Sequence, residues 1–349
     1  MALLSNLSSR TPLTPYNIRI NYIVVGQSED LTIDNITENV NAVNSTCDDA
    51  RFRFLLERLV THLHDFARET RLSTNEWQAA IQFLTQVGQI CTDVRQEFIL
   101  LSDVLGLSLL VDSIDHPKPP ASTEGTVLGP FHTHEAPKIE NGTLISQDPD
   151  GEPMLVVCSV KDTQGRPIPG VLVDVWETDS KGFYDVQHAD RTGPDGRAIV
   201  QSDEDGLFYF SAITPVPYPI PDDGPVGRLL AKLNRHQYRP SHFHFMFSKP
   251  GYDPLITALY LRDSPYERSD AVFGVKESLL VRLKSVSDIE GYAEKYGVPP
   301  STRLMQYDFV LVTEDESNQI RTEKALEAIQ KQGVTGMKVI DGLPVPDVD

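Results

Sequence analysis

At His116-Pro117-Lys118-Pro119-Pro120 the chain changes character. Proline has no amide hydrogen to give a helix or a central strand, and it disfavours helix at the residue before it. No regular element can run through this segment, so the chain divides there. Upstream, from about residue 30 to 112, apolar residues recur at three- and four-residue spacing, as in Phe52-Arg53-Phe54-Leu55-Leu56-Glu57-Arg58-Leu59-Val60-Thr61-His62-Leu63. That period lays an apolar stripe along a helix, with His62 and His64 on the helix surface. Ser73-Thr74-Asn75-Glu76 has the capping-box pattern and starts a helix through Trp77, Ile81, Phe83 and Val87. A further helix is expected from about Val94 to Leu110.

Downstream the period shortens. Strands are predicted over 154–160, 171–178, 207–213, 242–247, 256–261 and 306–312, separated by turn signals such as Gly193-Pro194-Asp195-Gly196. The sequence predicts an α+β protein: a helical domain over 1–116, an antiparallel β-sandwich over 117–315, and a C-terminal extension over 316–349. That extension reads as a short amphipathic helix, Thr322 to Lys331, followed by a polar tail.

Charge narrows the partners. With 31 basic against 50 acidic residues the formal charge is −19, which opposes binding to nucleic acid and to anionic membranes. Cys47, Cys91 and Cys158 are widely spaced, without a C-x-x-C pair, so neither a disulfide framework nor a thiolate zinc site is suggested. Met1 to Asn6 carry no basic region leading into a long apolar stretch, and no run is long enough for a membrane helix. The reading is a soluble, cytoplasmic protein.

Within the β-rich part, Tyr238-Arg239-Pro240-Ser241-His242-Phe243-His244-Phe245 carries the chemistry. Residues i and i+2 of a strand share a face, so His242 and His244 can aim two imidazoles at one ion. A bare His-x-His is equally compatible with two hydrogen-bonded strand histidines, and two imidazoles seldom complete a site. Two tyrosines have a suggestive setting: Tyr184 after Gly182-Phe183, and Tyr218 within Pro217-Tyr218-Pro219-Ile220-Pro221. Prolines make a rigid backbone, which suits a ligand or a plain structural corner.

Taken together, Gly182-Phe183-Tyr184, Pro217-Tyr218-x-Ile220-Pro221 and Arg239-Pro240-x-His242-x-His244 resemble the iron-binding pattern of the intradiol ring-cleaving dioxygenases. The resemblance covers nearly the whole chain. It implies one non-haem Fe(III) per subunit, bound by Tyr184, Tyr218, His242 and His244. Phenolate is a hard anionic donor that favours the ferric state. The resemblance further implies a catecholic substrate that chelates the iron as Tyr218 is displaced to act as a base. Arg239 then stabilises negative charge on the ring, and O2 opens the ring between the hydroxylated carbons to a muconate-type diacid. The helical part resembles the family's dimerisation and lid region, which implies a homodimer and leaves room for a bound lipid.

Three segments are similar to those of hydroxyquinol 1,2-dioxygenases. In Leu100-Leu101-Ser102-Asp103, Leu100 and Asp103 would lie over the substrate, where an acidic group could accept a hydrogen bond from a third ring hydroxyl. Val127-Leu128-Gly129-Pro130-Phe131 and Ser269-Asp270-Ala271-Val272 would add wall residues, among them Val272; Ile220 and Pro221 complete the candidate pocket. Catechol is the alternative substrate. One departure stands out: relatives often carry glutamine where this chain has Ala258, which would leave Arg239 with less support.

Other readings remain. A β-sandwich binding module with packed histidines needs no metal, and a zinc hydrolase would add a carboxylate to the two imidazoles. His132-Thr133-His134 is a second His-x-His, but it lies in a loop context without nearby tyrosines. His116, His188 and His236 have less support still.

Overall fold

The computed structural model describes residues 30–188, 191 and 193–347; the Met1 to Asn6 stretch read above lies outside them. Contacts divide the chain between Leu72 and Ser73 into two compact units.

The first unit holds α1 (Ile36–Asn44) and α2 (Ala50–Thr70). Asp49 caps α2, its side chain accepting the Phe52 amide at 2.9 Å. Arg68 of α2 donates to the Ile33 carbonyl and to Thr37 Oγ1, and Thr37 Oγ1 lies 3.0 Å from His64 Nδ1. His64 is therefore half-buried against α1, contrary to the surface position expected of it; His62 is exposed. No residue of α2 is buried, and Phe52, Leu55, Leu59, Leu63 and Phe66 form an exposed apolar stripe.

The second unit opens with α3 (Thr74–Ile90), started by the Ser73/Glu76 capping box. The single helix expected from Val94 to Leu110 is two helices, α4 (Glu97–Val104) and α5 (Leu107–Asp115), broken at Gly106 with φ 74°. Left-handed backbone suits glycine and ends a helix. The change from helix to strand falls at the 116–120 prolines, whereas the contact break falls at Leu72, so α3 to α5 belong to the same compact unit as the sheets.

The strands follow as β1 (Pro153–Asp162), β2 (Leu172–Trp176), β3 (Arg197–Gln201), β4 (Leu207–Ile213) and β5 (Tyr218–Pro219). After α6 (Pro225–Lys232) come β6 (Tyr238–Arg239), β7 (His242–Ser248), β8 (Leu255–Leu261), β9 (Leu280–Val281) and β10 (Lys284–Ser285). The chain ends in α7 (Tyr292–Tyr296), β11 (Arg303–Leu311), α8 (Glu314–Gln332), β12 (Met337–Ile340) and β13 (Leu343–Pro346). One sheet has the order β10-β11-β1-β4 and the other β3-β2-β7-β8-β9. The expectation of a purely antiparallel sandwich is corrected in two places, because β1 pairs with β11, and β8 with β9, in parallel.

Alternation along the strands builds the core. Val156, Cys158 and Val160 of β1, Phe208 and Phe210 of β4, and Met305 and Phe309 of β11 meet Val173 and Val175 of β2 and Phe243, Phe245 and Phe247 of β7. At the C-terminus the predicted short helix is longer, beginning behind a Thr313/Glu316 capping box, and the supposed polar tail is a hairpin. Asp341 and Gly342 connect β12 to β13, both with positive φ, the turn chemistry that an Asp-Gly pair supplies.

Candidate active site

The period of β7 fixes the site. Its three phenylalanines face the sandwich core, so His242 and His244 must face the other way, where they are buried at 3 % and 1 % exposure. Tyr218 arrives by the short pairing of β5 with β6, which sets it opposite Arg239. Tyr184 lies just beyond Gly182, whose φ is 85° and where a β-carbon would stand 2.6 Å from Tyr218 Cβ. Glycine at that position therefore lets the two tyrosine loops close on each other.

The four polar tips converge. Tyr184 and Tyr218 hydroxyls are 3.0 Å apart, Tyr218 Oη is 3.4 Å from His242 Nε2, and His242 Nε2 is 3.1 Å from His244 Nε2. Donors about 2.0–2.1 Å from a shared ion at angles of about 90–110° stand about 2.8–3.4 Å from one another, which these separations match. His242 Nδ1 donates to the Pro240 carbonyl at 2.7 Å, which turns the lone pair of Nε2 toward the cluster. His244 is stacked on Trp176, with centroids 4.8 Å apart and planes 4° from parallel, and Gly129 lies against its other edge. Phe131 stacks on Tyr184 at 4.8 Å, while the buried Arg197–Asp185 ion pair ties the Tyr184 loop to the Phe131 carbonyl.

Burial sets the charge states. It pulls His242 and His244 far down, with Arg239 and the neighbouring imidazole adding to the effect, so both rings are neutral ligand-type imidazoles. It pushes the Tyr184 and Tyr218 phenols up, so either phenolate needs a cation beside it. Two neutral nitrogens and two oxygens that become anions only against a cation suit a hard, highly charged metal ion. Among the described residues no group of three His, Cys, Asp or Glu could hold a metal. The two-histidine-plus-carboxylate arrangement of a zinc hydrolase is therefore not found there; tyrosine completes this donor set.

Arg239 stands beside the donors, its Nη1 2.9 Å from His242 Nε2 and 3.5 Å from Tyr218 Oη. Ala258 gives Arg239 no polar partner, and other side chains support it instead. Asp270 takes Nε at 3.1 Å and Nη2 at 3.3 Å, and Tyr260 Oη accepts from Nη2 at 3.0 Å. Burial works against the guanidinium charge, but Asp270, Tyr218 and Tyr260 together outweigh it, so its pKa rises.

The residues expected to wall the pocket fall into two groups. Leu100, Val127, Ile220 and Val272 share one buried apolar cluster, and Phe131 and Leu128 pack with Trp176, Tyr184 and Tyr218 in another. Pro130 and Pro221 are half-buried. Asp103 is 1 % exposed, its Oδ1 has no hydrogen-bond partner, and burial pushes its carboxyl up to about 6, with Arg239 and Asp270 within electrostatic reach.

Three further histidines pair with carboxylates, His132 with Asp174 at 2.9 Å, His188 with Asp179 at 2.8 Å and His116 with Asp253 at 3.2 Å, and His134 meets the His132 ring edge-on. His236 Nδ1 accepts the Tyr238 amide. Sequence reasoning missed Asp270, Tyr260 and Trp176. Trp176 and Tyr260 are the β2 and β8 register partners of His244 and His242, a signal available only once the strands are paired.

Residues 127–313 match the family described as Dioxygenase, and 49–123 match the Catechol dioxygenase N terminus. An intradiol ring-cleavage dioxygenase of Aspergillus niger is 64 % identical over 321 residues, 92 % of this chain and 97 % of that protein. The chain belongs to the intradiol ring-cleavage dioxygenases. A hydroxyquinol 1,2-dioxygenase of Rhizobium sp. is 46 % identical over 78 % of this chain and 93 % of its own length. The solved hydroxyquinol 1,2-dioxygenase of Pseudomonas putida superposes with a TM-score of 0.74 at 43 % identity, covering 80 % of this chain and 98 % of that one. A catechol 1,2-dioxygenase of Candida albicans is 36 % identical over 82 % of this chain. As an intradiol dioxygenase the chain is an enzyme of an iron-dependent family. Among its described residues no helix is long and apolar enough to cross a membrane.

Proposed function

We propose that this dioxygenase cleaves hydroxyquinol, benzene-1,2,4-triol, between its adjacent hydroxylated carbons to 3-hydroxy-cis,cis-muconate, using Fe(III) held by Tyr184, Tyr218, His242 and His244. The observation that carries the substrate is Asp103: a buried carboxyl with an unpartnered oxygen, set within electrostatic reach of Arg239. Leaving a buried acceptor unpaired costs about 1–3 kcal/mol, and a third ring hydroxyl relieves that cost where catechol cannot. The names of the relatives point the same way.

An iron held by Tyr184, Tyr218, His242 and His244 would supply Lewis-acid charge to a deprotonated diol. The protein does the rest. Tyr218 Oη, within reach of Tyr184, His242 and Arg239, holds a proton taken from the substrate. Arg239 Nη1 faces the same cluster and stabilises the negative charge that grows on the ring. Leu100, Val127, Ile220 and Val272 close an apolar wall that excludes water and orients the ring edge. Gly129, Pro130, Phe131, Leu128 and Pro221 are the further wall residues of this reading.

The exposed stripe of α2 supports a homodimer formed through the helical region, with a lipid as a further candidate occupant, and we read the protein as cytoplasmic. Sedimentation of a Leu59→Glu, Leu63→Glu variant tests the dimer: a shift to monomer is expected, and an unchanged dimer contradicts it.

Two measurements test the function. The iron-loaded protein should absorb broadly in the visible through tyrosinate-to-iron charge transfer, and a folded, colourless, iron-free protein contradicts the reading. Oxygen uptake with the triol should exceed uptake with catechol by about tenfold or more; equal efficiency overturns the substrate assignment.

A further inference from the structure

We propose that Asp270 is the positioning residue of this site: its carboxylate decides which nitrogen Arg239 presents to the donor cluster and where Val272 stands in the pocket wall. The proposal rests on the reading of the site given above. A guanidinium has three nitrogens and could turn any of them inward. Here the Asp270 fork grips the Nε–Nη2 edge, at 3.1 and 3.3 Å, with both side chains almost fully buried. Nη1 is thereby left facing Tyr218 Oη and His242 Nε2.

The grip is closed from behind. Tyr260 Oη accepts from Nη2 at 3.0 Å, and a β-carbon at Gly274 would stand 2.4 Å from Tyr260 Oη and 3.0 Å from Arg239 Nη2. Glycine at 274 thus leaves the space in which the Tyr260 hydroxyl and the guanidinium lie against this loop. Ala258, paired with His244 and wholly buried, gives Arg239 no polar group from its strand. Among the described residues Asp270 is the carboxylate in direct ion-pair contact with Arg239.

The same two oxygens also hold the loop. Asp270 Oδ2 accepts the Gly274 amide at 2.9 Å, and Oδ1 accepts the Val272 amide at 3.3 Å. Val272 lies in the buried cluster with Leu100, Val127 and Ile220. One carboxylate thus links the aim of the charge-stabilising nitrogen to a wall residue, so a change at Asp270 must alter turnover and ring selectivity together.

A double-mutant cycle on the iron-loaded enzyme tests this, with Asp270→Asn made alone and in an Arg239→Gln background. Asn is isosteric, but its amide points hydrogens at one guanidinium nitrogen and breaks the fork. We expect Asp270→Asn to lower kcat for the triol about 10- to 100-fold. The dissociation constant for the triol, measured by calorimetry without O2, should stay within about threefold, because the interaction strengthens as charge develops. In the Arg239→Gln background the same substitution should change kcat by less than about twofold. An equal loss in both backgrounds, or a loss confined to triol binding, overturns the proposal. Should Asp270→Asn not fold, Asp270→Glu keeps the charge and displaces both partners. It should lower kcat and change the ratio of chlorinated to unchlorinated triol turnover by at least about threefold; an unchanged ratio overturns the proposal. Triol turnover by the parent enzyme, run in the same assay, reports separately on the functional reading itself.

Discussion

The donor side of the active site and its substrate wall are built by different means. The donors rest on short-range geometry: alternation on β7, a two-residue pairing that brings Tyr218 to Arg239, and Gly182, which admits the neighbouring tyrosine. The wall is drawn from α4, the 126–131 loop, Ile220 and the 270–274 loop, segments remote in sequence that are joined by packing and by a few hydrogen bonds, such as Thr126 Oγ1 to the Gly274 carbonyl. The chemistry thus rests on strands and tight turns, whereas the wall is assembled from separate segments of the chain. Changes on the donor side should abolish the reaction; changes in the wall should retune it.

Tyr184→Phe should separate the two sides most sharply. It removes one of the two anionic donors, so the visible absorption should weaken and shift and turnover fall by more than about a thousandfold. A variant with the parent's absorption and activity would break the contrast. Arg239→Gln should cost about 10²–10³ in kcat with the absorption kept, and Arg239→Lys should not restore it, because an ammonium cannot fill the planar Asp270 fork.

Asp103 should report on stability as well as on selectivity. Its folded-state carboxyl titrates near 6, above the value of about 3.8 for an exposed aspartate, so the native state holds the proton more tightly than the unfolded one. Stability contributed by this group is full below about pH 3.8 and is lost as pH rises through about 6, up to about 3 kcal/mol. Asp103→Asn should therefore raise the thermal midpoint at pH 7.5 and have little effect at pH 4; a lowered midpoint at pH 7.5 would count against a charge that the wall strains to hold. The smallest effect is expected at Arg235, which donates to the Val104 and Ala271 carbonyls at 2.9 and 2.8 Å and lies 4.9 Å from the Phe273 ring centroid. Arg235→Ala unties α4 from the 270–274 loop and should cost about 1–2 kcal/mol. Triol-to-catechol preference should narrow a few-fold in kinetic assays while kcat for the triol is nearly kept.

The same contrast explains what the sequence discloses. His242 and His244 on one strand face follow from a period of two, and the Ser73 capping box from four consecutive residues. Asp270 could not be found that way: its partner is 31 residues off, and only the folded loop aims its carboxylate at Arg239. The break at Gly106 is not legible in the sequence because an isolated glycine is tolerated within a helix, and nothing local marks its left-handed backbone. The Asp341-Gly342 hairpin, in contrast, carried a local signal that the polar character of the tail obscured.

The most direct test compares kcat/KM for benzene-1,2,4-triol and for catechol in the parent enzyme and in Asp103→Asn, with iron content and visible spectrum recorded on the same samples. If the wall alone selects the substrate, the triol-to-catechol ratio should fall by about 10- to 100-fold in the variant while iron and colour are unchanged. An unchanged ratio, or a fall in both substrates that tracks lost iron, would contradict the division between donors and wall.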